Sequence, residues 1–144
     1  MSAKIVGLTI QRGGNEPAEA VSEMKLLENS GIEGNVHQGG EKQVCLFASE
    51  ARAWMKAQAV AGLCFRRFQE NILTEGLSAV ELTPGTLLSA GGALLRVSIQ
   101  GKPCFDECER YASKLPCFLS TGAVFAVVEK SGVIHGGDEI SIRR

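Results

Sequence analysis

No apolar run in this chain approaches the roughly 20 residues that a membrane-spanning helix needs. The longest, such as Ala123-Val124-Phe125-Ala126-Val127-Val128, fall far short. The opening "MSAKIVGLTI" has neither the long apolar stretch nor the small-residue cleavage site of a secretory leader, so a cytoplasmic protein is expected, with no membrane partner. A basic excess is also missing: 15 Lys and Arg stand against 16 Asp and Glu, for a net charge of -1. Phosphate backbones are bound through clustered cations, so nucleic acid is excluded as a main partner. There is no internal repeat, no low-complexity tract and no linker, and 144 residues are enough to bury one core. A single domain over 1–144 is expected.

The cysteines lack a pairing partner as a set. Five is an odd number, so a fully paired disulfide framework within one chain is excluded, and a cytosolic setting keeps thiols reduced or metal-bound. A Cys-x-x-Cys redox motif is absent as well. Cys45, within Val44-Cys45-Leu46-Phe47, and Cys64, within Leu63-Cys64-Phe65, sit in apolar runs and read as core filler.

What is present is glycine. Seventeen glycines divide the chain into short runs rich in β-branched and large apolar residues, the pattern of many short strands. "KIVGLTIQ" reads as a first strand and "QVCLFA" as a short buried one. "GTLLSAGGALLRVSIQ" reads as a hairpin through Gly91-Gly92, with Leu95, Val97 and Ile99 on one face and Arg96 and Ser98 on the other. "AVFAVVEKSGVIHGGDEISIRR" predicts another hairpin through Lys130-Ser131-Gly132, then a Gly136-Gly137-Asp138 turn into a last strand carrying Ile140 and Ile142. One helix is expected in "SEARAWMKAQAVAGLC", capped by Ser49, and a short second one from Asp106 to Ser113. The fold class is therefore mostly β, and an antiparallel β-barrel with a few short flanking helices is the arrangement that leaves no exposed edges.

Three stretches carry candidate chemistry. In "SGIEGNVHQGGEKQ" the glycines Gly31, Gly34, Gly39 and Gly40 free the backbone for turns in which amides converge on an anion, with Asn35, His37, Glu41 and Lys42 supplying side chains. The spacing is not that of a phosphate loop, and an ordinary turn explains the glycines equally well. "FRRFQENILTEGL" places Arg66 and Arg67 between aromatics, where guanidinium forks can grip a phosphate or carboxylate, although a solvated surface pair is the simpler reading. Glu70 and Asn71 precede a strand and can tie neighbouring backbone amides.

The third stretch, "GKPCFDEC", sets Cys104 at the start of the short helix, where unpaired amides and nearby Lys102 favour a thiolate. Asp106, Glu107 and Glu109 act in the opposite direction. Cys108 lies one turn on and suits a resolving thiol or second ligand. Zinc held by Cys104, Cys108 and Cys117 with His37 or His135 is a weaker fit, because the ligands do not fall in two close pairs. His135 reads as a turn residue, and the role of Cys117 is open.

Taken in order, "GIEGNVHQGGEKQVCLF", "FRRFQENILTEGL", "TPGTLLSAGGALLRVSI", "GKPCFDEC" and "GVIHGGDEISI" resemble the MOSC domain, the module found at the C-terminus of eukaryotic molybdenum-cofactor sulfurases and as short stand-alone bacterial proteins. The resemblance runs from Lys4 to Ile142. It implies a mostly antiparallel β-barrel and makes Cys104 the family's characteristic cysteine, a persulfide carrier charged by a pyridoxal-phosphate-dependent cysteine desulfurase. It implies molybdenum cofactor (molybdopterin) as the cofactor and other molybdenum-cofactor biosynthesis proteins as partners. Gly34, Asn35 and His37 then fall in the glycine-rich loop, and Arg67, Glu70 and Asn71 in the second motif. Arg66, Arg67 and Lys102 would attract the anionic pterin.

The chain departs from that pattern at Asn35, where aspartate is common, at Phe105, where short relatives often carry histidine, and at Leu119-Ser120-Thr121-Gly122, in place of Pro-Arg-Glu-Gly. The leading expectation is a sulfur-transfer or cofactor-handling protein with Cys104 as nucleophile and Cys108 as auxiliary thiol. One alternative is a molybdenum-dependent oxidoreductase of N-hydroxylated compounds, with Cys104 on the metal. A second is a non-catalytic module that binds or delivers the cofactor.

Overall fold

The computed structural model describes residues 3–13, 18–36, 38–50, 53, 70–77, 81–100 and 123–143. Among them run eleven strands: β1 (Ala3–Ile10), β2 (Glu19–Val21), β3 (Glu23–Leu27), β4 (Gly31–Ile32), β5 (Val44–Ala48), β6 (Ile72–Glu75), β7 (Leu87–Ala90), β8 (Ala93–Gln100), β9 (Val124–Lys130), β10 (Gly132–His135) and β11 (Glu139–Arg143). The main sheet follows the order β11-β7-β8-β9-β5-β6-β1-β2, and β11 also pairs with β1, so seven strands close into a barrel with β2 hanging from β1. A second sheet, β10-β3-β4, shares no ladder with the first but packs on the same core through Met24, Leu26, Ile32 and Ile134.

The barrel is filled by the residues that alternation turns inward. Ile5, Leu46, Ile72, Leu88, Leu95 and Ile140 are all fully buried, and each such side chain stabilises the fold by about 1.5–3 kcal/mol. Strict alternation would defeat β1, since Ile5 and Leu8 are three residues apart and yet both lie in the core. A bulge resolves this: the register against β6 shifts between Ile5 and Gly7, and the extra residue, Val6, is left on the outside.

Several expected features stand where the pattern put them. The first strand, the buried Val44–Ala48 strand and the Gly91-Gly92 hairpin are present, and Cys45 is buried. Three features differ. β9 and β10 do not form a hairpin through Lys130-Ser131-Gly132; β9 pairs with β8 and β5, while β10 leaves the barrel and pairs with β3. The crossing is allowed by Gly132, since a Cβ there would stand 2.6 Å from the carbonyl carbon of Gly92. The barrel is also not wholly antiparallel: β5 and β6 run parallel, which is feasible because residues 49–71 give a connection long enough for a crossover.

The third difference concerns β8. Leu95 and Val97 point inward and Arg96 outward as alternation predicts, but Ile99 does not follow them, because the register against β9 shifts between Val97 and Ile99. The bulge at Ser98 turns Ile99 outward. Of the two expected helices, Ser49, Glu50 and Ala53 are helical; the rest of the first and all of the second, Asp106 to Ser113, lie outside the described residues. Among the described residues no helix is long and apolar enough to cross a membrane.

Candidate functional site

The glycine-rich segment between β4 and β5 folds over the outer wall of the barrel where β8 and β9 are bulged. The hydroxyl of Ser98, exposed by that bulge, bonds the carbonyls of Glu41 and Phe125. The Lys42 ammonium sits 5.2 Å above the centre of the Phe125 ring, an attraction worth about 0.5–1 kcal/mol at an exposed site. Between loop and wall, Val36, Gln38, Gly39, Gly40, Glu41, Lys42 and Ile99 line an open cleft of about 480 Å³, a size that suits a small organic ligand.

Two glutamines that carry no sequence pattern hold this loop. Gln38 donates Nε2 to the carbonyls of Ile32 (2.6 Å) and Asn35 (2.8 Å) and accepts the Ser30 hydroxyl at Oε1 (2.7 Å). Gln43, almost wholly buried, donates to the Gly40 carbonyl (2.9 Å) and accepts the buried Val128 N–H (3.0 Å). Gln43 thus replaces a strand neighbour for β9 just before β5 begins. Gly39 and Gly40 both have φ near +70°, a region that side chains disfavour, and the space beside each α-carbon is open.

Behind the loop, the two motifs singled out in the sequence meet. Asn71 donates its main-chain N–H to the Cys45 carbonyl (2.9 Å) and accepts Cys45 N–H at Oδ1 (3.0 Å). On its other side it accepts Thr9 N–H at its carbonyl (2.9 Å) and donates Nδ2 to the Thr9 carbonyl (3.1 Å). The same Nδ2 reaches Asn35 Oδ1 at 3.4 Å, and Asn35 Oδ1 also accepts Gln11 N–H at 2.8 Å. Val36 N–H returns a bond to the Gln11 carbonyl at 2.5 Å. Asn71 therefore joins β1, β5 and the start of β6, and through Asn35 it fixes the glycine-rich loop to all three. Glu70, beside it, is buried.

Arg12 was not legible as a loop partner, being an unremarkable charge at the end of a strand. Its Nε pairs with Glu19 at 2.8 Å, and its Nη1 lies 2.8 Å from where a Cβ on Gly34 would stand. Of the sequence candidates, the structure brings Gly34, Asn35, Glu70 and Asn71 to one region. Val36 and Gln38, the neighbours of His37, both line the cleft. His37, Arg66, Arg67, Lys102, Cys104, Cys108 and Cys117 lie outside the described residues. His135 is at a turn, 3.3 Å from Glu23 and 3.6 Å from Asp138; among the described residues no cluster of three or more His, Cys, Asp or Glu is arranged to hold a metal.

The MOSC domain model matches residues 33–141, from the glycine-rich loop to the last strand. This chain belongs to the MOSC domain family. The family is related to the C-terminal domains of molybdenum cofactor sulfurases. Solved structures agree on the MOSC fold. YuaD from Bacillus subtilis superposes over 97% of this chain and 94% of its own, with a TM-score of 0.70 and 19% identity. YiiM from Escherichia coli (TM-score 0.62, 21% identity) covers 100% of this chain over 70% of its own, and YiiM from Geobacillus stearothermophilus (TM-score 0.66, 21% identity) covers 99% over 75%. No functionally curated protein matches this MOSC chain.

Proposed function

We propose that this MOSC protein is a cytoplasmic sulfur carrier of molybdenum-cofactor metabolism, with Cys104 as the carrying thiol and the loop cleft as the place where its partner molecule sits. The supporting observation is the position of the cleft: one wall is Ile99, next to the end of β8 at Gln100. Cys104 follows four residues later, and four residues of chain extend at most about 14 Å. That tether limits Cys104 to within about 14 Å of Gln100, a range that is compatible with a thiol serving the cleft.

The chemistry is thiolate exchange. Cys104 Sγ attacks the terminal sulfur of a donor cysteine persulfide; the donor S–S bond breaks, its thiolate leaves, and the sulfane sulfur stays on Cys104. An acceptor thiolate that attacks the outer sulfur takes it as its own persulfide and Cys104 leaves as thiolate; Cys108 attacking Cys104 Sγ instead forms a Cys104–Cys108 disulfide and expels hydrosulfide. A pyridoxal-phosphate-dependent cysteine desulfurase is the donor this reading calls for.

The cleft has room for molybdopterin, with one cation, Lys42, and one carboxylate, Glu41, in its lining. Lys42 would face the cofactor's negative charge, and Gly39 and Gly40, with open space at both α-carbons, would let the backbone approach it closely. When bound with its molybdenum, that group would supply a redox-active metal. The loop residues would orient it and hold it against Ile99.

Anaerobic purification followed by intact mass, metal and pterin analysis tests the reading. A reductant-labile gain of one sulfur that disappears in Cys104→Ala is expected. Stoichiometric molybdenum with pterin and no sulfur gain would instead favour the oxidoreductase or the binding module, which a turnover assay on N-hydroxylated compounds separates. Zinc with neither sulfur nor pterin would sink the sulfur-carrier and oxidoreductase readings alike.

A further inference from the structure

The cleft between the glycine-rich loop and the barrel wall presents a ligand with two opposite charges, Glu41 and Lys42, in one lining. The two are adjacent in sequence and exposed, yet they form no ion pair with each other or with any other described residue. Elsewhere on the surface Arg12, Lys25 and Arg96 each find a carboxylate within 3.8 Å. The Lys42 ammonium instead rests over the Phe125 ring, 5.2 Å from its centre.

Both charges stand on backbone that is already fixed. The Ser98 hydroxyl donates to the Glu41 carbonyl, and Gln43 donates to the Gly40 carbonyl at 2.9 Å. A ligand that uses them therefore finds them in place, which lowers the entropy lost on binding. Gln38, also in the lining, has its whole amide in use: Nε2 donates to the Ile32 and Asn35 carbonyls, and Oε1 accepts the Ser30 hydroxyl. The apolar part of the lining is Val36, 40% exposed, and Ile99, turned outward by the bulge.

A lining with one carboxylate, one ammonium and no net charge does not select a polyanion, because Glu41 would repel what Lys42 attracts. It selects a molecule that carries both charges itself on a small apolar body. About 480 Å³ admits a short peptide as well as a single amino acid.

We infer that the cleft binds a zwitterion of the amino-acid class, free or as a short peptide, with its ammonium at Glu41 and its carboxylate at Lys42. This rests on the reading of the cleft as the seat of the protein's partner molecule, and it names the chemistry of that molecule.

The test is calorimetric titration of the full chain with L-leucine, with glycyl-L-leucine, and with the N-acetylated and the amidated form of each. At about pH 6.5 an α-amino group stays charged. Saturable binding of the zwitterions is expected; tighter binding of the dipeptide assigns the class to short peptides, and tighter binding of leucine to free amino acids. Each cap should weaken binding by about threefold or more, the worth of one surface charge pair. Glu41→Gln should weaken the zwitterion to the same degree and leave the acetylated form unaffected, and Lys42→Gln should do so with the amidated form. Both side chains are exposed, so both variants should melt as the native protein does.

No saturable binding of either zwitterion overturns the inference, as does native affinity in both variants. Phenyl phosphate bound more tightly than both zwitterions also overturns it, and gives the cleft to an anion. The titration involves neither sulfur nor molybdenum. Absent binding beside an intact sulfur gain on Cys104 therefore defeats this inference alone, and binding without that gain defeats only the carrier reading.

Discussion

Asn71 takes up both main-chain groups of Cys45: it donates its own N–H to the Cys45 carbonyl and accepts the Cys45 N–H on its side-chain oxygen. One residue thus continues the β5–β6 pairing one step before β6 begins, with its side chain acting as a second strand edge.

Replacing it shows what that edge contributes. Asn71→Ala removes the side-chain bonds to Cys45 N–H and the Thr9 carbonyl, and losing a partner at such a group costs about 1–3 kcal/mol. A loss of roughly 2 kcal/mol or more in urea unfolding is expected. Native stability in this variant would mean that water replaces the amide at no cost.

Gly132 and Gly136 offer a matched pair. A Cβ on Gly132 meets the backbone of Gly92 and Ala93 at 2.6–2.7 Å, whereas one on Gly136 meets nothing within 4 Å. Gly132→Ala should lower stability by at least about 1–3 kcal/mol, the usual cost of overpacking, and Gly136→Ala should stay within about 0.5 kcal/mol of the native protein. Thermal melts of the two variants side by side decide it; equal melting temperatures would contradict the close crossing of β10 over the β7–β8 turn.

Gln43→Leu keeps the bulk and removes the acceptor for Val128 N–H. The expected outcome is a loss of about 1–3 kcal/mol together with faster hydrogen exchange at the Val128 amide. The Gly40 carbonyl loses its donor in the same variant, so resonances of Gly39 to Lys42 should shift as well. Unchanged protection at Val128 would show that another group already serves it.

The Arg96–Glu129 pair is the counterexample. It is short, 2.5 Å between Nε and Oε1, but both side chains are more than a third exposed. Glu129→Gln should change stability by less than about 1 kcal/mol, and the difference should shrink further in high salt.

Much of the barrel could be read from local pattern, because Val44–Ala48 is a continuous apolar run and Leu87 to Gln100 alternate around a glycine pair. β2 and β3 were not legible: Glu19, Glu23 and Lys25 make the stretch look solvated, although Met24 and Leu26, which alternate with the last two, are buried. The false hairpin at Lys130-Ser131-Gly132 arose because a turn signal says that the chain bends but not which strand receives it. Asn71 was legible as a backbone tie, since asparagine before a strand has that habit. Gln38, Gln43 and Arg12 were not, because their partners are set by where the loop lands, and the bulge at Ser98 leaves no mark on composition. The thiols Cys104 and Cys108 rest on sequence alone.

The single parallel pair has a further meaning. Around a closed ring, neighbours can alternate up and down throughout only when their number is even. Seven strands leave one place where two neighbours must share a direction, and here it falls between β5 and β6. Here those two neighbours are also consecutive in the chain, so the segment that joins them must travel the full height of the barrel. The stretch from 49 to 71, which carries Arg66 and Arg67 and ends at Asn71, is that return path. Parity asks only for a like-directed pair somewhere in the ring; setting it between consecutive strands is what demands a long connection, which a tight turn cannot replace.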